Sequence, residues 1–242
     1  MRGVFKMSEN YSVVMALQDY MPVALSSAGM FWLSNVVARQ NANFGLAARI
    51  AWILTTAGGA SKATWKLLMA LSDGQNNVLF LNDSLFYLMG AGFTVMAFML
   101  WYTQREAQGR NVPKVGHPAV VPIALVALVT FASLGMAFAR PEARTWYIMM
   151  LVLTTVGNFA TGGLAIRQSL WQGDRFAAAL FAFNLVAILM LTGMARIEPR
   201  TIPLEWASQI SNTFSNGAFA YAAYRLANRV AEWHASAKVA SA

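Results

Sequence analysis

Apolar residues along this chain gather into seven long runs, roughly 13–38, 46–71, 78–102, 120–138, 146–166, 176–194 and 202–226, each closed by charge, proline or glycine. A helix needs about 20 such residues to cross the hydrocarbon of a bilayer, and the runs are of that order. Lipid cannot hydrogen-bond free backbone groups, so each run is expected to be a helix, with short connections making successive helices antiparallel. The pattern predicts an all-α integral membrane protein: a bundle of about seven transmembrane helices in a single polytopic domain. Pro22 predicts a bend in the first helix, and residues 227–242 read as a short cytoplasmic tail that frays. The polar connection over 103–119, with Gly109, Pro113 and Gly116, divides a front group of three helices from a back group of four.

Composition agrees with this pattern. The chain has 242 residues, 57% hydrophobic and 12% charged, against roughly 25% charged in soluble domains. The excess apolar surface is expected to face lipid, most simply in a bacterial inner (plasma) membrane. A net charge of +8 could suggest nucleic acid, but the cations stand singly at the ends of apolar runs and form no patch. They read instead as topology signals. Arg39, Arg49, Arg105, Arg110, Lys114, Arg167, Arg175, Arg225, Arg229 and Lys238 fall on one side, and Arg2, Lys6, Arg140, Arg144, Arg196 and Arg200 on the other. The richer side is expected in the cytoplasm, which puts the N-terminus outside and the C-terminus inside. The stretch Ser8-Glu9-Asn10 and the lack of a small-residue cleavage site argue against a removable signal peptide.

The absence of cysteine excludes disulfides, thiolate catalysis and cysteine-bound metal. His117 and His234 are the only imidazoles and have no carboxylate cluster nearby in sequence, so neither a metal nor a cofactor is expected. Trp101, Tyr102, Trp146, Trp171 and Trp233 fit interfacial belts, and the methionines fit adaptable packing.

Candidate chemistry lies with ionisable groups inside the runs, which are costly in lipid and usually face a bundle interior. Lys62 and Lys66 share a helix face that Thr55 and Gly59 continue, and Asp83 opens the third run with Tyr87 one turn on. Asp19 lies in the first run. Glu205, Gln209, Asn212 and Asn216, spaced four, three and four apart, form one stripe on the seventh. With the N-terminus outside, all the charged members fall in the outer half, and Asn158 and Asn184 could reach the same interior. Lys62, the deeper lysine, is expected to pair with Asp83, Asp19 or Glu205, and Lys66 to snorkel toward headgroups. Taken singly, these residues also fit snorkelling, helix-terminal acids or polar glue between helices. Gly58, Gly59, Gly90, Gly92, Gly157, Gly162 and Gly163 predict close helix contacts.

Microbial rhodopsins are similar in length, but they hold retinal on a lysine of the last helix, and the run 202–226 has none. Lys62 with Asn82-Asp83-Ser84 faintly resembles the lysine and aspartate helices of lysoplasmalogenase-like hydrolases, whose second aspartate motif has no counterpart here. The chain is therefore assigned to neither. The leading expectation is a protein that binds a small polar or ionic ligand in an outward-facing intramembrane pocket, for transport or sensing. The alternatives are an intramembrane lipid hydrolase using paired carboxylates, or an accessory subunit that works through a membrane-protein partner or a second copy of itself.

Overall fold

The computed structural model describes residues 12–110, 119–140, 142–199 and 201–240. The described residues form eight helices and no strand: α1 (Val13–Gln18), α2 (Tyr20–Gln40), α3 (Ala42–Leu71), α4 (Leu79–Ala107), α5 (Val120–Ala139), α6 (Thr145–Trp171), α7 (Arg175–Met194) and α8 (Ile202–Ala240). Arg2, Lys6, Lys114, His117 and Arg200 lie outside the described residues. Five segments are long and apolar enough to cross a membrane: Val13–Gln40, Leu79–Ala107, Val120–Ala139, Thr145–Trp171 and Arg175–Met194. α3 and α8 stay below that mark, the first diluted by Arg49, Lys62 and Lys66, the second by Glu205 and its amide stripe. Phe131, Phe138 and Phe214 each expose more than two thirds of their surface, which suits lipid and would be costly in water. The chain is an all-helical protein of membrane type.

Two local features refine the sequence reading. The first run is interrupted at Asp19, just before Pro22, where α1 ends and α2 begins, with Asp19 itself in helical conformation. A proline ring collides with the carbonyl four residues back, here that of Gln18, and supplies no N–H. Ending one helix at Gln18 and starting the next at Tyr20 puts Pro22 in a first turn, where a missing donor costs nothing. The segment read as a tail is also helical, since α8 continues through 227–240.

The helices approach closely where small residues allow it. A Cβ on Gly58 would stand 2.8 Å from Met89 Cγ and 2.9 Å from Leu85 O. One on Gly92 would stand 2.7 Å from Ala51 O, and one on Gly157 2.9 Å from Thr94 N. Glycine is thus what lets α3 and α6 lie against α4. Gly163 meets nothing within 4 Å and plays no such part.

One end of the bundle is tied by polar bonds. Asn41 alone joins α2 to α3; its side chain caps α3 by accepting from Asn43 N–H at 2.9 Å and donates to Glu106 Oε2 at 2.7 Å. Arg39 Nη1 donates to Ala227 O at 2.8 Å. Asp174 caps α7 by accepting from Ala177 N–H at 3.0 Å and takes both Nε and Nη2 of Arg225, at 3.0 and 3.2 Å. Burial pushes the Asp174 carboxyl up. The Ala177 N–H and the Arg225 guanidinium outweigh that and leave it below the usual aspartate value. Inward from these ties sits the apolar core, including Met30, Leu33, Val37, Met96, Leu100 and Leu226, all fully buried.

Candidate functional site: a polar cavity at the Asp19 end

Toward the opposite end the bundle does not close. A cavity of about 300 Å3 runs between α2, α3, α4, α6, α7 and α8, and α5 takes no part in it. α2 contributes Asp19, Pro22, Val23 and Ser26, and α3 contributes Thr55, Gly59, Lys62, Ala63 and Lys66. Leu85, Met89 and Phe93 of α4 form an apolar wall, joined by Ile188 of α7 and Phe219 of α8. Four asparagines complete the lining: Asn158, Asn184, Asn212 and Asn216.

The α3 stripe reaches this cavity because a step of four residues keeps side chains on one helix face, so Thr55, Gly59, Lys62 and Lys66 all point the same way. The interruption at Asp19 places a carboxylate opposite the Lys66 end of that stripe. Lys66 Nζ lies 2.7 Å from Asp19 Oδ2, an ion pair about a quarter exposed at the lysine and less at the acid. This reverses the expectation that Lys66 would snorkel and Lys62 would pair. Lys62 instead donates to the side-chain oxygen of Asn82, and its Nζ sits 4.2 Å from the centre of the Trp65 ring. Asn82 in turn donates to Asp83 Oδ1 at 2.9 Å, so Asp83 reaches Lys62 only through an amide.

Of the other expected site residues, Asn212 and Asn216 line the cavity, whereas Asp83, Tyr87, Glu205 and Gln209 do not. Asp83 and Tyr87 sit two residues off the lining positions Leu85 and Met89, about 200° around the helix. Tyr87 therefore faces α5 and α6, its hydroxyl 3.0 Å from Ser133 Oγ and its ring stacked on Trp146. Gln209 is buried and Glu205 half-buried beyond the cavity's end. α1 packs on α3 and is tied to α8 by Gln18 Nε2 donating to Thr213 Oγ1 at 3.1 Å, beside Asn212. Asp19 is thus the one carboxylate among the lining residues, and the three acids expected to converge do not share the space.

The amides are only partly committed. Asn216 Nδ2 donates to Asn212 O and Oδ1, at 2.8 and 2.9 Å, and Asn184 Nδ2 to Ser215 O and Oγ, at 3.1 and 2.8 Å. Both leave a carbonyl oxygen for a further donor, and Asn158 makes no side-chain hydrogen bond with the described residues. Ser26 donates to Val23 O at 3.0 Å and can still accept. Ser26 was not singled out in the sequence, and Asn82 entered there only as a neighbour of Asp83 in Asn82-Asp83-Ser84. Ser26 lies seven residues from Asp19, two turns along one face, which was the available signal. The lining as a whole offers donors, acceptors and a bounded volume, which suits holding a molecule more than breaking its bonds. No protein-family model matches this chain, and no curated protein or solved structure matches it at a significant level.

Proposed function

We propose that this chain is a seven-helix protein of the bacterial inner membrane that binds a small polar or ionic ligand in the Asp19-end cavity, with the cavity open to the outside and the protein acting in transport. The observation that carries the reading is that six helices bring one ion pair, one further ammonium, two hydroxyls and four asparagines around a single space of about 300 Å3. Polar groups at membrane depth are costly unless partnered or wetted, so their collection around a space implies water or a ligand within it. A seven-span count is supported by α3 and α8. Each is long enough to cross at about 1.5 Å per residue, and each turns its polar stripe inward. The orientation follows from the ten-to-six distribution of Lys and Arg, which puts the Asp19 end outside. A hydrolase reading has no second carboxylate among the lining residues to pair with Asp19.

The chain contains no cysteine, so a single introduced thiol reports alone. Ser26→Cys and Asn216→Cys in intact cells should react with a membrane-impermeant thiol reagent added outside, while Phe183→Cys, exposed on the lipid-facing surface, should not. Labelling only in inverted vesicles would overturn the orientation. No labelling of either cavity position from either side would overturn the cavity reading and favour an accessory subunit.

A further inference from the structure

The lining residues carry three ionised groups, and their charges do not cancel. Asp19 supplies one negative charge, Lys62 and Lys66 supply two positive ones, and the sum is +1. Asp19 is matched with Lys66 at 2.7 Å. The remaining charge is that of Lys62, whose two contacts, the Asn82 oxygen and the Trp65 face, are both neutral. Such contacts solvate an ammonium without neutralising it. Asp83 orients this arrangement by holding Asn82, but it lies outside the lining and is not in ion-pair contact with Lys62. Asp19 and Asp83 act on Lys62 only from a distance, and a cation at membrane depth with no carboxylate in contact favours an anionic guest.

Size and wall chemistry narrow the guest further. A space of about 300 Å3 exceeds what a halide fills, and it is walled on one side by Met89, Phe93, Ile188 and Phe219. A guest with one negative end and an apolar or amphipathic body would satisfy both walls at once. One negative charge also matches the one lining lysine that has no acid in contact, where a phosphate dianion would exceed it. We infer that the ligand of this cavity is an organic monocarboxylate, its carboxylate on Lys62 and its body against the apolar wall. The inference rests on the cavity reading above and adds the ligand's charge and class.

The indole under Lys62 supplies the readout, because a carboxylate that draws the ammonium off the Trp65 face changes that ring's fluorescence. The purified protein in detergent is titrated with propionate, butyrate, hexanoate and benzoate, each beside its primary amide, and the Trp65→Phe variant identifies the responding ring. At least one carboxylate should bind about tenfold or more tightly than its amide, as expected for a charge-assisted bond. Lys62→Gln should abolish that preference, and Lys62→Arg should retain it. Equal or tighter binding of the amides would overturn the monocarboxylate inference and leave the cavity reading standing. Binding of neither series overturns the inference as well, and the cysteine labelling then decides separately whether the cavity is reached at all. Should Lys62→Gln fail to fold, the carboxylate-to-amide ratio of the unmodified protein is itself decisive.

Discussion

The two ends of this bundle use the same helices in different ways. Around Arg39, Glu106 and Arg225, alanines and fully buried methionines and leucines fill the core, and Arg39, Asn41 and Asp174 are hydrogen-bonded between elements, while Gln104 Oε1 and the Gln168 amide are buried there without a partner among the described residues. Around Asp19 and Lys66, larger polar side chains hold the helices apart around a cavity, and several amide oxygens still have capacity to accept. Without a hydrophobic driving force between helices in lipid, stability has to come from close packing; the large apolar core lies toward the Arg39 end, and the tight contacts of Gly58, Gly92 and Gly157 lie at the depth of the cavity. Substitutions at the two ends should therefore fail in different ways.

The largest effect is expected from Gly92→Leu. Its Cβ alone would press on Ala51 O and Thr55 N, which are backbone atoms that cannot step aside. A loss above about 3 kcal/mol is expected, read as failure to recover folded protein after detergent extraction. Ordinary recovery would show that the contact of α3 with α4 is looser than described. Next comes Arg225→Ala, which strands the buried Asp174 carboxylate and should lower the melting temperature in detergent, by less than breaking a fully buried pair would because the arginine is partly exposed. The same pair predicts a pH dependence. A carboxyl held below its ordinary value stabilises the fold above that value, and this contribution is lost as pH falls through the lowered one. Melting temperature should drop below about pH 4 in the native chain, and that drop should shrink in Arg225→Ala.

At the open end the balance reverses. Asp19→Asn should cost only about 1 kcal/mol, since the pair is partly exposed. It also raises the lining charge, so anionic probes should bind more tightly in the same titration. Unchanged anion affinity would mean that the cavity's charge does not govern its guest. The smallest effect belongs to Gly163→Ala, where the added Cβ meets nothing and helix propensity improves; melting should shift by no more than about 0.5 kcal/mol in either direction.

The helices were legible because lipid leaves the backbone no alternative, so long apolar runs become helices wherever they occur. The stripe Thr55, Gly59, Lys62 and Lys66 was legible too, since spacing within one helix fixes a shared face. Spacing within a helix does not fix the register between helices. Which lysine meets Asp19 depends on how far α2 is shifted along α3 and on the break that Pro22 forces upstream, and this is where Lys62 and Lys66 exchanged roles. Asp83 could have been separated from the wall-forming Leu85 and Met89 by helical phase, but only once the face of α4 turned to the cavity was known. Glu205 and Gln209 share the phase of Asn212 and Asn216 and differ from them in depth, which periodicity does not encode.

Helix α5 shows how little one element can be required to specify. Of its twenty residues only Pro122 and Ser133 are buried, and Ser133 joins Tyr87 of α4 to the Trp146 carbonyl on α6. Elsewhere its surface meets an environment that distinguishes oily from polar but not one aliphatic side chain from another. Its sequence is thus a text in which composition carries the meaning and spelling is almost free. Replacing its outward-facing residues wholesale with leucine should leave the bundle intact, whereas a single aspartate at Leu128 or Phe131 should not be tolerated.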